Sequence, residues 1–176
     1  MNILEKYINI VESINKKLGT ITSWLTLILV LIITYDVIVR YIFDSSSVAL
    51  QELEWHLFAV IFLLAAGYTF LIDDHVRVDV FYTRYSERNK AITNLIGSLI
   101  FLIPFCIVGI LSSLNFVEFS FRVKETSPDA GGLPARYILK SFIPLSLFIL
   151  LLQGFAIVFR SILKLKTGKT AKGLQN

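Results

Sequence analysis

SWLTLILVLIITYDVIV, residues Ser23–Val39, decides the fold. Its one charged residue is Asp36. Hydrocarbon offers no water to satisfy the backbone, so such a run crosses as a helix, and roughly 20 apolar residues cover a core about 30 Å thick. Three further runs follow: Trp55–Ile72, Ala91–Phe116 and Tyr137–Phe159. A soluble chain of 176 residues, 55% of them hydrophobic, would need one buried core and not four membrane-length runs. The reading is all-α: an integral membrane four-helix bundle preceded by an amphipathic interfacial helix. Residues 1–176 read as a single membrane domain, with the interfacial helix at 3–18, spans at about 22–43, 50–72, 91–118 and 137–160, and a basic tail at 161–176.

Charge orients the chain. Four spans put both termini on one side, and that side holds twelve basic residues against five opposite. The positive-inside rule places both termini in the cytoplasm. The net charge of +4 follows from this topology and does not point to nucleic acid. The first run starts some twenty residues in, without a small-x-small cleavage pattern, and reads as a retained helix. Cys106, the single cysteine, lies inside the third run and reads as a small apolar residue.

Ile3, Leu4, Tyr7, Ile8, Val11, Ile14 and Leu18 recur at helical spacing, and Glu5, Lys6, Asn9, Glu12, Ser13, Asn15 and Lys16 fill the other face. Such a helix lies in the membrane interface or packs on a partner, and Gly19 allows a bend after it. Asp36 and Arg40 are four apart on one helical face and can pair. Asp44–Ser47 signals a turn and a helix start, after which Glu52 and His56 share a face and Glu54 points away from it. Ala65, Ala66 and Gly67 allow close helix approach. His75, Arg77 and Asp79 alternate with valines, the period of an extended segment. Pro104 and Pro144 can kink spans three and four. Pro128, Gly131, Gly132 and Pro134 mark irregular backbone in the loop between them, just before Arg136.

Several chemistries are excluded. No phosphate loop, dinucleotide fingerprint or zinc spacing occurs, and no cofactor is expected. Two axial ligands for a haem would have to come from His56 and His75, which lie nineteen residues apart on or just beyond one helix, roughly 28 Å along its axis. No internal repeat suggests a self-contained transporter, and the span centres lack charge apart from Asp36 toward the outer part of span one.

Five pieces in order carry a resemblance. They are Asp36–Phe43 (DVIVRYIF), Leu50–Phe58 (LQELEWHLF), His75–Phe81 (HVRVDVF), Ser127–Arg136 (SPDAGGLPAR) and Ile143–Leu145 (IPL). From about Thr22 to Phe159 the chain resembles the small membrane subunit, of DctQ type, of the tripartite ATP-independent periplasmic (TRAP) transporters. The segment His75-Val76-Arg77-Val78-Asp79 resembles a family signature. One departure is visible: many relatives have an arginine near His56, where this chain reads Glu-Leu-Glu-Trp-His.

The resemblance implies a scaffold subunit and no enzyme. Its partners would be a large membrane subunit that carries the substrate and sodium sites, a periplasmic substrate-binding protein, and membrane lipids. The transporter would take up an organic solute, of the organic acid class, by sodium symport across a bacterial inner membrane. Asp36, Arg40, Glu52, Glu54 and His56 are the candidate partner-interface or structural polar cluster. His75, Arg77 and Asp79 are the cytoplasmic loop signature, and Pro128, Gly131, Gly132, Pro134 and Arg136 the periplasmic loop. Two other readings stay open: a stand-alone small transporter or channel, and a membrane anchor for a redox complex.

Overall fold

The structure is a computed structural model that describes residues 3–72, 82 and 84–167. Its elements are α1 (Ile3–Ile42), α2 (Val48–Leu71), α3 (Glu87–Gly97), a π-helical turn (Ser98–Leu102), α4 (Ile103–Arg122) and α5 (Arg136–Thr167). No strand occurs among the described residues. Since α3, the π turn and α4 run on as one apolar helix, four helices are long and apolar enough to cross a membrane.

Local chemistry sets the boundaries. Ser47 caps α2 by accepting from the Leu50 N–H, and Ser86 caps α3 by accepting from the Asn89 N–H. Asp44 and Lys124 take positive φ just after α1 and α4, where a left-handed residue ends a helix. Pro104 does not break the third crossing helix. The widened turn before it lets the Ile103 N–H bond to the Ser98 carbonyl, making room where a proline ring would crowd a regular turn. Pro144 lies inside α5, which continues past it.

α1 corrects two expectations. The amphipathic segment is not a separate interfacial helix; it is the first half of one 40-residue helix, with no break at Gly19. Gly19 instead leaves room for the Tyr68 ring of α2. The buried face also differs. Glu12 and Asn15, assigned to the polar side, are buried, whereas Ile3 and Ile14 of the apolar side are exposed. The cause is the neighbour: α5 presents Arg160 to Glu12 and Gln153 to the Asn15 amide nitrogen, so each side chain finds a partner inside protein, although Asn15 Oδ1 is buried without a hydrogen bond among the described residues. Ile8, Asn15, Thr22, Leu29 and Asp36 are all buried, each seven residues after the last. A seven-residue stripe keeps facing its neighbours only if the helices wrap with a left-handed twist.

α5 is the hub. It packs on α1, α2, the α3 to α4 helix and the π turn, while the α1–α2 pair and the third helix meet mainly through it. Small residues permit the close approaches. A side chain at Gly67 would strike Asn15 and crowd Ile149, and one at Gly109 would meet Leu147. Ile8, Val11 and Ala156 form a buried cluster closed by Tyr7, Leu152, Phe159 and Leu163, with the Tyr7 and Phe159 rings edge to face at 5.3 Å. The other crossing helices expose large apolar side chains along their length, as lipid-facing surfaces do, whereas α5 exposes only Ile138, Leu145 and Phe148.

Candidate functional site

The polar chemistry gathers at the two ends of the bundle. At the end carrying the loop from Val123 to Ala135, the centre is Glu52, just past the first turn of α2. Its carboxylate is buried and accepts from the Ser127 hydroxyl at 2.5 Å, the Leu133 N–H at 2.6 Å and Arg136 Nη2 at 2.8 Å. One side chain of α2 thus grips the loop at three points and the start of α5 with it. The Arg136 guanidinium also lies over the Trp55 ring, 5.6 Å from its centroid.

The loop is shaped to receive that carboxylate. The Arg136 N–H bonds to the Glu125 carbonyl, the Ser127 N–H to the Leu133 carbonyl, and the Gly132 N–H closes a turn on the Asp129 carbonyl. Gly131 has φ +81, a conformation that costs a side-chain-bearing residue energy. Gly132 has no room for a Cβ, which would strike Ser127 and approach the Glu52 carboxylate. Pro128, Gly131 and Pro134 are exposed at the tip. Beside the loop, Glu125 pairs with Lys140 of α5. The Lys140 ammonium, and after it the Ser120 hydroxyl, hold the Glu125 carboxyl below the ordinary glutamate range. A shallow apolar recess of about 240 Å³ opens between α2 and α5, lined by Leu53, Leu57, Val60, Pro134 and Phe142, with His56 at its wall.

The five-residue polar cluster read from the sequence divides in two. Arg40 pairs with Asp36 one turn back on α1, and Asp36 is buried. Glu54 lies within electrostatic reach of both, and its buried Oε1 has no hydrogen-bond partner among the described residues. Glu52 faces the loop instead. His56 turns to its own helix: its Nδ1 lies 2.5 Å from the Glu52 carbonyl, and its ring rests on Trp55 at 3.9 Å. His75, Arg77 and Asp79 lie outside the described residues.

The opposite end carries a network that sequence reading missed. Asn15 Nδ2 donates to Gln153 Oε1 at 2.9 Å and to the Val11 carbonyl at 3.1 Å. The Tyr7 hydroxyl donates to the Leu152 carbonyl at 3.1 Å, and Arg160 pairs with the buried Glu12. Lys164 reaches Glu87 at the start of α3, 2.5 Å away. Gln153 and Arg160 were the available signal, since polar groups on an apolar membrane helix face protein more readily than lipid.

Among the described residues no group of three or more His, Cys, Asp or Glu could hold a metal ion. The arrangement joins helix ends and presents a shaped loop. The profile of one family, described as "Tripartite ATP-independent periplasmic transporters, DctQ component", matches residues 29–164. No curated protein and no solved structure matches the chain.

Proposed function

Since the chain belongs to the DctQ family, and is thus the small membrane component of a TRAP transporter, we propose that it is the stationary scaffold on which the large membrane subunit moves. In this reading the large subunit binds the solute and sodium, and a periplasmic protein delivers the solute. Both termini of this chain face the cytoplasm of a bacterial inner membrane. The solute is an organic acid.

The observation that carries the scaffold role is the grip of Glu52 on Ser127, Leu133 and Arg136. It makes the α2 start, the loop and the α5 start one unit, and it leaves Pro128, Asp129, Ala130 and Gly131 exposed on a braced platform. A part that must hold still while another moves needs such bracing, and a loop that receives a soluble partner gains affinity when it is ordered beforehand. The excess of basic residues on the side of the termini supports the orientation.

The test is uptake into proteoliposomes under an imposed sodium gradient, with organic acids as the solutes. Uptake is expected only when this chain, the large membrane subunit and the binding protein are all present. Uptake by the large subunit and binding protein without this chain would overturn the scaffold role. Uptake by this chain alone would replace it with the small-transporter reading.

A further inference from the structure

On the first half of α1, at the end of the bundle that holds Arg160 and Lys164, a shallow recess of about 420 Å³ is lined by Lys6, Asn9, Ile10, Ser13, Ile14 and Lys17. Helical spacing puts all six on one face, with the two lysines roughly 16 Å apart along the axis. Both lysines are exposed, and neither pairs with an acid among the described residues. Lys90, Arg160 and Lys164, at the same end, each have one. Glu12 lies between the two lysines in sequence, but it is turned inward and held by Arg160 of α5. Glu5 is already engaged. Among the described residues the recess is therefore left with positive charge alone, and Lys16, exposed beside Lys17, adds to it.

The recess is not only basic. Ile10 and Ile14 form one side of it and are 51% and 42% exposed. The same face continues past Lys17 through Ile21, Trp24 and Ile28, all exposed, into the apolar run. A small soluble anion would answer the ammoniums and leave the isoleucines in water. A neutral acyl chain would cover the isoleucines and leave the ammoniums without a counter-charge. A molecule with a phosphate level with the ammoniums and hydrocarbon below it answers both. Long helical side chains lean toward the helix N-terminus, here the outward direction, so that level lies outward of the Lys17 backbone. Anionic lipids of the cytoplasmic leaflet are drawn to basic groups placed just there.

Resting on the orientation proposed above, with the termini in the cytoplasm, we propose that this recess holds the headgroup of an anionic phospholipid of the cytoplasmic leaflet. Lys17 and the Ser13 hydroxyl meet its phosphate, and Lys6 closes the outer end. The glycerol and the tops of the chains lie against Ile10 and Ile14, and the chains continue along Ile21 and Trp24.

The experiment uses the full chain, assembled with the large membrane subunit, in phosphatidylcholine vesicles that carry a trace of photoreactive phosphatidylglycerol or, separately, of photoreactive phosphatidylcholine. Adducts on this chain are mapped by peptide mass. Phosphatidylglycerol adducts are expected between Lys6 and Trp24, several-fold above those of phosphatidylcholine. K6Q with K17Q is expected to remove most of that preference. I10S with I14S is expected to lower the adducts several-fold although both lysines remain, each variant eluting as the wild type does. The proposal is overturned by equal labelling from the two lipids, or by an equal loss from R88Q with K166Q, which removes two charges at that end outside the recess. It is also overturned if millimolar inorganic phosphate displaces the lipid, since the site would then be one for a free anion. Labelling of K6C by an impermeant maleimide added outside intact spheroplasts would instead overturn the orientation, and the choice of leaflet with it.

Discussion

Glu52 is bound at both oxygens, Oε1 by Ser127 and Arg136 and Oε2 by the Leu133 N–H. Charge-assisted bonds of this kind are stronger than neutral ones, and removing the acceptor orphans the donors left behind. E52A is therefore expected to free the loop: limited proteolysis should cut between Ser127 and Arg136 several-fold faster than in the wild type. An unchanged cleavage rate would mean that the loop holds its own shape. Glu125 gives a pH-dependent counterpart. Its carboxyl is held below the ordinary glutamate range by Lys140 and then Ser120, so it binds protons less readily folded than unfolded. Its contribution to stability is present above the ordinary range, about pH 4.3, and is lost as pH falls through the lowered value. Melting temperature measured against pH should drop more steeply in that acid window for the wild type than for E125Q. Coincident profiles would remove Glu125 from the account.

Between helices, the decisive features are small residues placed opposite polar ones. Gly67 of α2 makes room for Asn15 of α1, which is itself tied to Gln153 of α5. G67A would push the Asn15 amide out of that bond as well as overfill the contact. A destabilisation of about 1–3 kcal/mol is expected from such overpacking, read from reversible unfolding in detergent micelles. Wild-type stability for G67A would show that α1 and α2 separate at little cost. The pairing also explains why the first helix was only half legible. Its apolar spacing announced a helix, but which face turns inward depends on Gln153 and Arg160, more than a hundred residues away. Local periodicity carries no information about such a partner.

At the scale of the molecule, the four crossing helices were legible because each membrane-length apolar run must form its own backbone bonds. The observed helices start before every expected span and overrun the ends of the last two, while the first two stop one residue short, at Ile42 and Leu71; helical geometry continues past the apolar stretch wherever caps and neighbours allow it. Asp36 and Arg40 were legible as a pair because four residues is one helical turn. The clip on Glu52 was not. Both halves of it were noted, the acidic start of α2 and the Pro- and Gly-rich loop, but nothing local says that position 52 meets positions 127 to 136.

The place of α5 at the centre has a consequence for how the chain is made. Ribosomes release the amino terminus first, so α1 and α2 can pair in the membrane while α5 is still being synthesised. The third helix has little to lean on at that stage, because its main neighbour in the finished bundle is α5. Closure must wait for the last helix to enter the bilayer. Chains that stop short of Arg136 would leave two loose pieces, exposing the buried polar groups of Glu12 and Asn15 to quality-control proteases.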